Sequence, residues 1–146
     1  MANELVLPLE GTVNFLAGTA YVWTADANLS YHLYKNDLTP DKDTVLGDLV
    51  EADFSGYSSV TVTAWNYGSI SLDAEDRAFT TGTPDAVFTH SGGATDNDIY
   101  GYYVLGNSGE LMWIQRYDDA PFAMDGAGRT FTVHPRFTLR SQYEHA

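Results

Sequence analysis

The chain has 146 residues, with 20 acids against 7 basic residues, a net charge of −13 and no cysteine. Its length matches one domain, its 44% hydrophobic and 14% aromatic content argues against a disordered chain, and the missing cysteines exclude disulfides and thiolate metal sites. The acid excess repels phosphate backbones, so nucleic acid is not an expected partner; solubility or adaptation to salt accounts for the same excess.

The first twenty residues, "MANELVLPLEGTVNFLAGTA", lack a basic lead, and Glu4, Glu10 and Asn14 interrupt their apolar residues. They make a poor signal peptide. No run approaches the ~18 apolar residues that span a membrane, so no membrane partner is expected. Pro8 to Gly18 reads as a short helix or a strand: Pro sits where a helix begins, Glu10 early, and Gly18 where one ends. Residues 1–28 are expected to form an arm or segment packing on a domain that runs from 1 to 146.

In "LSYHLYK", Leu29, Tyr31 and Leu33 alternate with polar residues, which predicts a strand. Five acids follow between Asp37 and Glu51. A calcium loop starting at Asp41 fails at Val45, Leu46 and Ala52, which should be a ligand, a glycine and a bidentate glutamate. Thr39-Pro40-Asp41 is turn chemistry. Val45, Leu46, Leu49 and Val50 then fall at helical spacing, predicting one or two helical turns with Asp41 or Asp43 as the N-terminal cap.

"SSVTVTAW", Ser58 to Trp65, predicts a strand with Val60, Val62 and Ala64 inward. "YGSISL" and "DAVFTH" predict two more, and Asp73 to Pro84 between them reads as a loop. "HSGGATDND", His90 to Asp98, contains the parts of a hydrolase triad, but its two central glycines predict a mobile loop. No histidine pair has zinc spacing, and neither phosphate-cradle motif is present. No cofactor or metal is expected, and no catalytic residue is assigned.

Ile99 to Leu105 and Glu110 to Tyr117 flank "GNSG" as a hairpin. Tyr100 and Tyr102 are expected on one face and Tyr103 on the other, with Trp113 and Tyr117 along the partner strand. Exposed, that aromatic face would bind a protein or a sugar; covered, it is core. Finally, in "RTFTVHPRFTLR", Phe131, Val133, Pro135, Phe137 and Leu139 alternate with polar residues, predicting a strand that is bulged or at an edge at Pro135. Seven or eight strands at this spacing imply an all-β, antiparallel sandwich or jelly roll with one or two short helices.

"LSYHLYKNDLTPDKDTVLGDLVEADFSGYSSVTVTAW" resembles the central block of a group of small tailed-bacteriophage virion proteins. There a strand "L-x-L-Y-x-N" leads through a Thr-Pro turn to "E-A-x-F-x-G-Y-x-x-V". "IYGYYVLGNSGELMWIQRY" and "PFAMDGAGRTFTVHPRFTLRS" are similar to the close of that group, and the resemblance runs from Leu29 to Ser141. It implies a structural part of the virion without enzymatic activity. A capsid cement or decoration protein would bind the major capsid protein and form dimers or trimers; a tail or head-tail piece, or a carbohydrate-binding adhesion module, is the alternative. Under this resemblance the expected contact residues are Tyr100, Tyr102, Trp113 and Tyr117 on the hairpin, and Asp41, Asp43 and Asp48 facing a basic surface. A small hydrolase using paired acids is a third reading, for which the sequence orders no constellation.

Overall fold

A computed structural model describes residues 5–11, 28–65, 71–72 and 78–139. They form an all-β antiparallel sandwich. One sheet contains β1 (Leu29–Tyr34), β2 (Val60–Val62), β8 (Gly101–Leu105) and β9 (Leu111–Arg116), in the order β2-β1-β8-β9. The second contains β3 (Ala64–Trp65), β5 (Ala78–Thr83) and β12 (Arg136–Leu139), in the order β12-β5-β3, with β4 (Ser71–Leu72) also on β5. Two ribbons complete the described strands: β6 (Ala86–Thr89) with β11 (Thr130–Val133), and β7 (Asn97–Ile99) with β10 (Phe122–Met124).

Three stretches that read as single strands each divide between two sheets. The alternation in "RTFTVHPRFTLR" is real, with Val133, Pro135 and Phe137 buried. Yet β11 pairs with β6 and β12 with β5. Pro135 lies between them, where its missing N–H costs no ladder bond. Ser58–Trp65 divides at Thr63, whose N–H donates to the Thr83 carbonyl at 3.1 Å. This step reverses the parity, so Ala64 is exposed and Trp65 buried, against the expected inward Ala64. Ile99 and Gly101 likewise belong to different sheets, with Tyr100 at the corner.

The stretch Asp73 to Pro84 is not simply a loop. Ala78–Thr83 is the central strand of the second sheet, paired with β12, β3 and β4. Its Gly82 faces Val62, Trp65 and Pro135 so closely that a Cβ would stand 2.7 Å from the Val62 methyl. The absence of a side chain at Gly82 admits the crossing strands. Of the Pro8–Gly18 stretch, residues 9–11 are helical and 12–18 lie outside the described residues.

The main core lies between the sheets. Trp113 of β9 is fully buried and joins them: it sits edge-on to Tyr31 at 6.3 Å in its own sheet, edge-on to Trp65 at 6.2 Å, and 4.9 Å from Phe137 in the other. A second, smaller core of Tyr34, Tyr103, Leu111 and Ile114 occupies the opposite face of the first sheet. Both faces of β8 and β9 are therefore covered, which explains their continuous runs of buried residues.

Candidate functional site

The second core is closed by the acidic stretch. Residues 33–35 and 50–52 pair as the stem of a broad loop: Lys35 N–H donates to Val50 O and Ala52 N–H to Leu33 O, each at 2.9 Å. The Asn36 side chain locks the neck, donating to Asp48 O and accepting from Val50 N–H, both at 2.9 Å. The loop then folds over the sheet, laying Leu38, Leu46 and Leu49 on the second core. Arg116 of β9 pins its rim, with a 2.9 Å bond to Leu38 O, a 2.7 Å ion pair to Asp37, and its guanidinium over the Tyr100 ring.

Within this lid the helix is a single 3-10 turn, Leu46–Asp48. The expected caps, Asp41 and Asp43, lie too far upstream to reach it. Asp48 takes that role from inside the turn, accepting from Val45 N–H at 3.0 Å. Asp41 instead closes its own turn, accepting from Asp43 N–H at 2.9 Å and from the Thr44 hydroxyl at 3.1 Å. Asp43 pairs with Lys42 at 2.6 Å. Asp41, Asp43 and Asp48 are all exposed. So are Val45 and Val50, at 46% and 47%, while Leu46 and Leu49 turn inward. Of the four apolar residues at helical spacing, two cover the sheet and two face outward. Leu9, 56% exposed, bonds to the same loop through its N–H to Lys42 O. The outer surface of the lid is thus apolar side chains among carboxylates.

The stem is latched by a polar cluster whose full membership was not legible in the sequence. Ser30 and His32 are two apart on β1 and share the lid face. Ser30 Oγ lies 2.8 Å from His32 Nε2, and His32 Nδ1 2.6 Å from Glu51 Oε1. The Tyr57 hydroxyl accepts from Leu33 N–H at 3.1 Å and donates to Glu51 at 2.8 Å. Burial pushes the Tyr57 phenol well up, opposed by that Leu33 bond and supported by Glu51. Burial, then the Glu51 charge, does the same to Tyr103, whose ring stacks 5.0 Å from His32. The Ser–His–Glu order has the distances of a nucleophile relay. Among the described residues, no oxyanion site is placed beside it. Ser30 lies inside a strand flanked by β2 and β8, so nearby backbone N–H groups lie in the sheet plane rather than above Ser30, where an oxyanion would form. The cluster's chemistry is to hold the lid stem down. Ser30 and His32 at i, i+2 were visible in sequence; Glu51, nineteen residues away, was not.

The aromatic residues expected to form one contact face are dispersed. Tyr102 is 4% exposed, and its hydroxyl donates to Gln115 at 2.8 Å. It and Trp113 are core, not surface. Tyr117 is half-buried, 4.5 Å from Phe131. Tyr100 does not share a face with Tyr102: the corner at residue 100 turns it to the second core. No Phe, Tyr or Trp among the described residues is exposed.

The glycine-rich loop after β6 is tied down rather than mobile. His90 is 1% exposed. Its Nδ1 accepts from Gly92 N–H at 2.9 Å, and its Nε2 lies 3.0 Å from Thr95 O and 3.1 Å from Asp96. With Nδ1 accepting, Nε2 carries the donor proton. Ser91 N–H and Ser55 N–H bond to Ser55 O and Thr95 O, both at 2.8 Å, joining this loop to "DFSGY". His90 is fully used in this junction, and Ser91 is exposed beside it. The comparisons with protein-family models, curated proteins and solved structures give no match to the chain.

Proposed function

We propose that the chain is a structural protein of a bacteriophage virion, a cement or decoration protein that binds the major capsid protein and stabilises the shell without catalysing a reaction. The observation that carries this reading is the lid: a rigidly latched loop presenting Val45 and Val50 among the exposed carboxylates of Asp41, Asp43 and Asp48. Exposed apolar side chains on the same loop as exposed carboxylates fit a partner surface that is apolar and basic. The motif resemblance adds to it, and many weak contacts repeated around a shell would sum to firm attachment. The contact residues move from the hairpin aromatics to the lid, because Tyr102 and Trp113 are buried.

The test is quantitative mass spectrometry of virions assembled from the genome that encodes the chain. Hundreds of copies per particle are expected. Charge reversal at Asp41, Asp43 and Asp48 should lower that occupancy. A handful of copies would favour a tail or connector part, and full occupancy after charge reversal would remove the lid as the contact surface.

A further inference from the structure

Proton positions in the Ser30–His32–Glu51 row follow from what each group can donate. An ionised Glu51 only accepts, so its 2.6 Å contact puts a proton on His32 Nδ1. In the neutral ring, Nε2 then holds a lone pair and no proton. Its 2.8 Å contact with Ser30 Oγ is therefore one in which the serine donates. The Tyr57 hydroxyl donates to the same Glu51 oxygen at 2.8 Å, and the Tyr103 ring stacks on the imidazole at 5.0 Å. These neighbours fix the tautomer and the plane of the ring, and its basic nitrogen faces one hydroxyl. The other described histidines meet no serine: His90 bonds Gly92 N–H, Thr95 O and Asp96, and His134 pairs with Asp85.

Latching the stem accounts for the Glu51 bonds, which cross from the stem to the sheet and to Tyr57. It does not account for the Ser30–His32 bond, which lies within β1 and ties nothing to the lid. Ser30 stands opposite Thr61 of β2 and Leu105 of β8. Cross-strand partners share a face; Thr61 is exposed, and Ser30 and Leu105 are half-buried. Oγ is thus approached past Thr61, from the outer strand of the sheet.

We propose that Ser30 is a site of covalent acylation, with His32 as general base and Glu51 as the residue that positions it. The co-reactant is an acyl donor with a good leaving group, an aryl ester or a thioester. Ser30 Oγ bonds to the carbonyl carbon and its proton passes to His32 Nε2. The bond from that carbon to the leaving group breaks, and the leaving group keeps the electron pair and takes the proton from His32. Ser30 ends as an ester, and nothing is oxidised or reduced. The N–H groups beside Ser30 lie in the sheet plane and do not stabilise the tetrahedral oxyanion. The reaction is therefore confined to activated donors and modifies the protein once, without turnover. It is a property of the isolated chain and does not rest on the virion reading.

The test exposes the full-length protein briefly to p-nitrophenyl acetate and maps acetylated residues by peptide mass spectrometry. Exposed Ser58, Ser59 and Ser91 serve as standards within the same chain. General-base assistance contributes about a hundredfold or more, so Ser30 should react about a hundredfold faster than the standards. His32→Gln should bring it down to their rate. A Ser30 that reacts no faster than the standards overturns the proposal, as does a fast rate that survives His32→Gln. Where circular dichroism shows that His32→Gln does not fold, the comparison within the wild-type chain decides alone.

Discussion

Trp113 shows how a residue's chemistry and its role separate. An aromatic on a tyrosine-rich hairpin reads equally as binding platform or core. Its contacts with Tyr31, Trp65 and Phe137 assign it to the core and make it the link between the two sheets. Trp113→Ala should therefore cost about 3–5 kcal/mol, the usual range for a large aromatic removed from a packed interior. Tyr31 offers the contrast. Its ring is buried and stacked on Tyr102 at 5.5 Å, but its hydroxyl has no hydrogen-bond partner among the described residues. Tyr31→Phe keeps the packing and removes an unpaired polar group, so it should leave stability unchanged or raise it by up to about 1 kcal/mol. Urea denaturation of the two variants checks both values.

Among elements, the lid joins local and distant chemistry. Its turn at Asp41 and its lock at Asn36 are local, whereas its closure depends on His32, Tyr57 and Arg116. Glu51→Ala removes the acceptor shared by His32 and Tyr57. Bonds to a buried charged group are worth about 1.5–3 kcal/mol, but Glu51 is 45% exposed, which reduces the expected cost to about 1 kcal/mol. Hydrogen exchange should show lid amides from 36 to 50 opening roughly fivefold faster, with β8 and β9 unchanged. Equal acceleration in β8 and β9 would mean that the cluster supports the whole sheet rather than the lid. The stretch "EADFSGY" is likewise tied to distant chemistry. Ala52 and Phe54 are buried, and Ser55 bonds to the loop after His90. These residues therefore serve the packing of the fold.

For the whole molecule, the buried tyrosines set an alkaline limit. Burial chiefly raises Tyr34, from 10.0 to about 12. It also pushes up Tyr31, Tyr57, Tyr102 and Tyr103. A raised pKa means that the folded state holds its proton more tightly than the unfolded chain. The stabilisation is complete below the unfolded value near pH 10 and is lost as pH rises through the folded values. Tyrosinate absorbance should therefore show these buried tyrosines ionising above pH 10 together with loss of near-ultraviolet circular dichroism. Smooth, independent titration of all tyrosines with the fold intact would contradict this burial.

The sequence by itself determined the class of fold and much of the inward set. Period-two alternation is a local property, and Leu29, Tyr31, Leu33, Val133 and Phe137 face inward as it requires. Composition likewise excluded disulfides. Only the tertiary structure decided which sheet each strand joins. Thr63, Tyr100 and Pro135 are corners where the chain changes partners, and a corner disturbs the alternation by one residue or not at all. It also decided that "AFTTGT" is a central strand, because Gly82 is explained by side chains from elsewhere in the chain. The contact surface depended on it most. Whether an aromatic is exposed, or an acid caps a turn or faces outward, depends on which distant segment lies against it, and hydrophobicity and charge are indifferent to sequence distance.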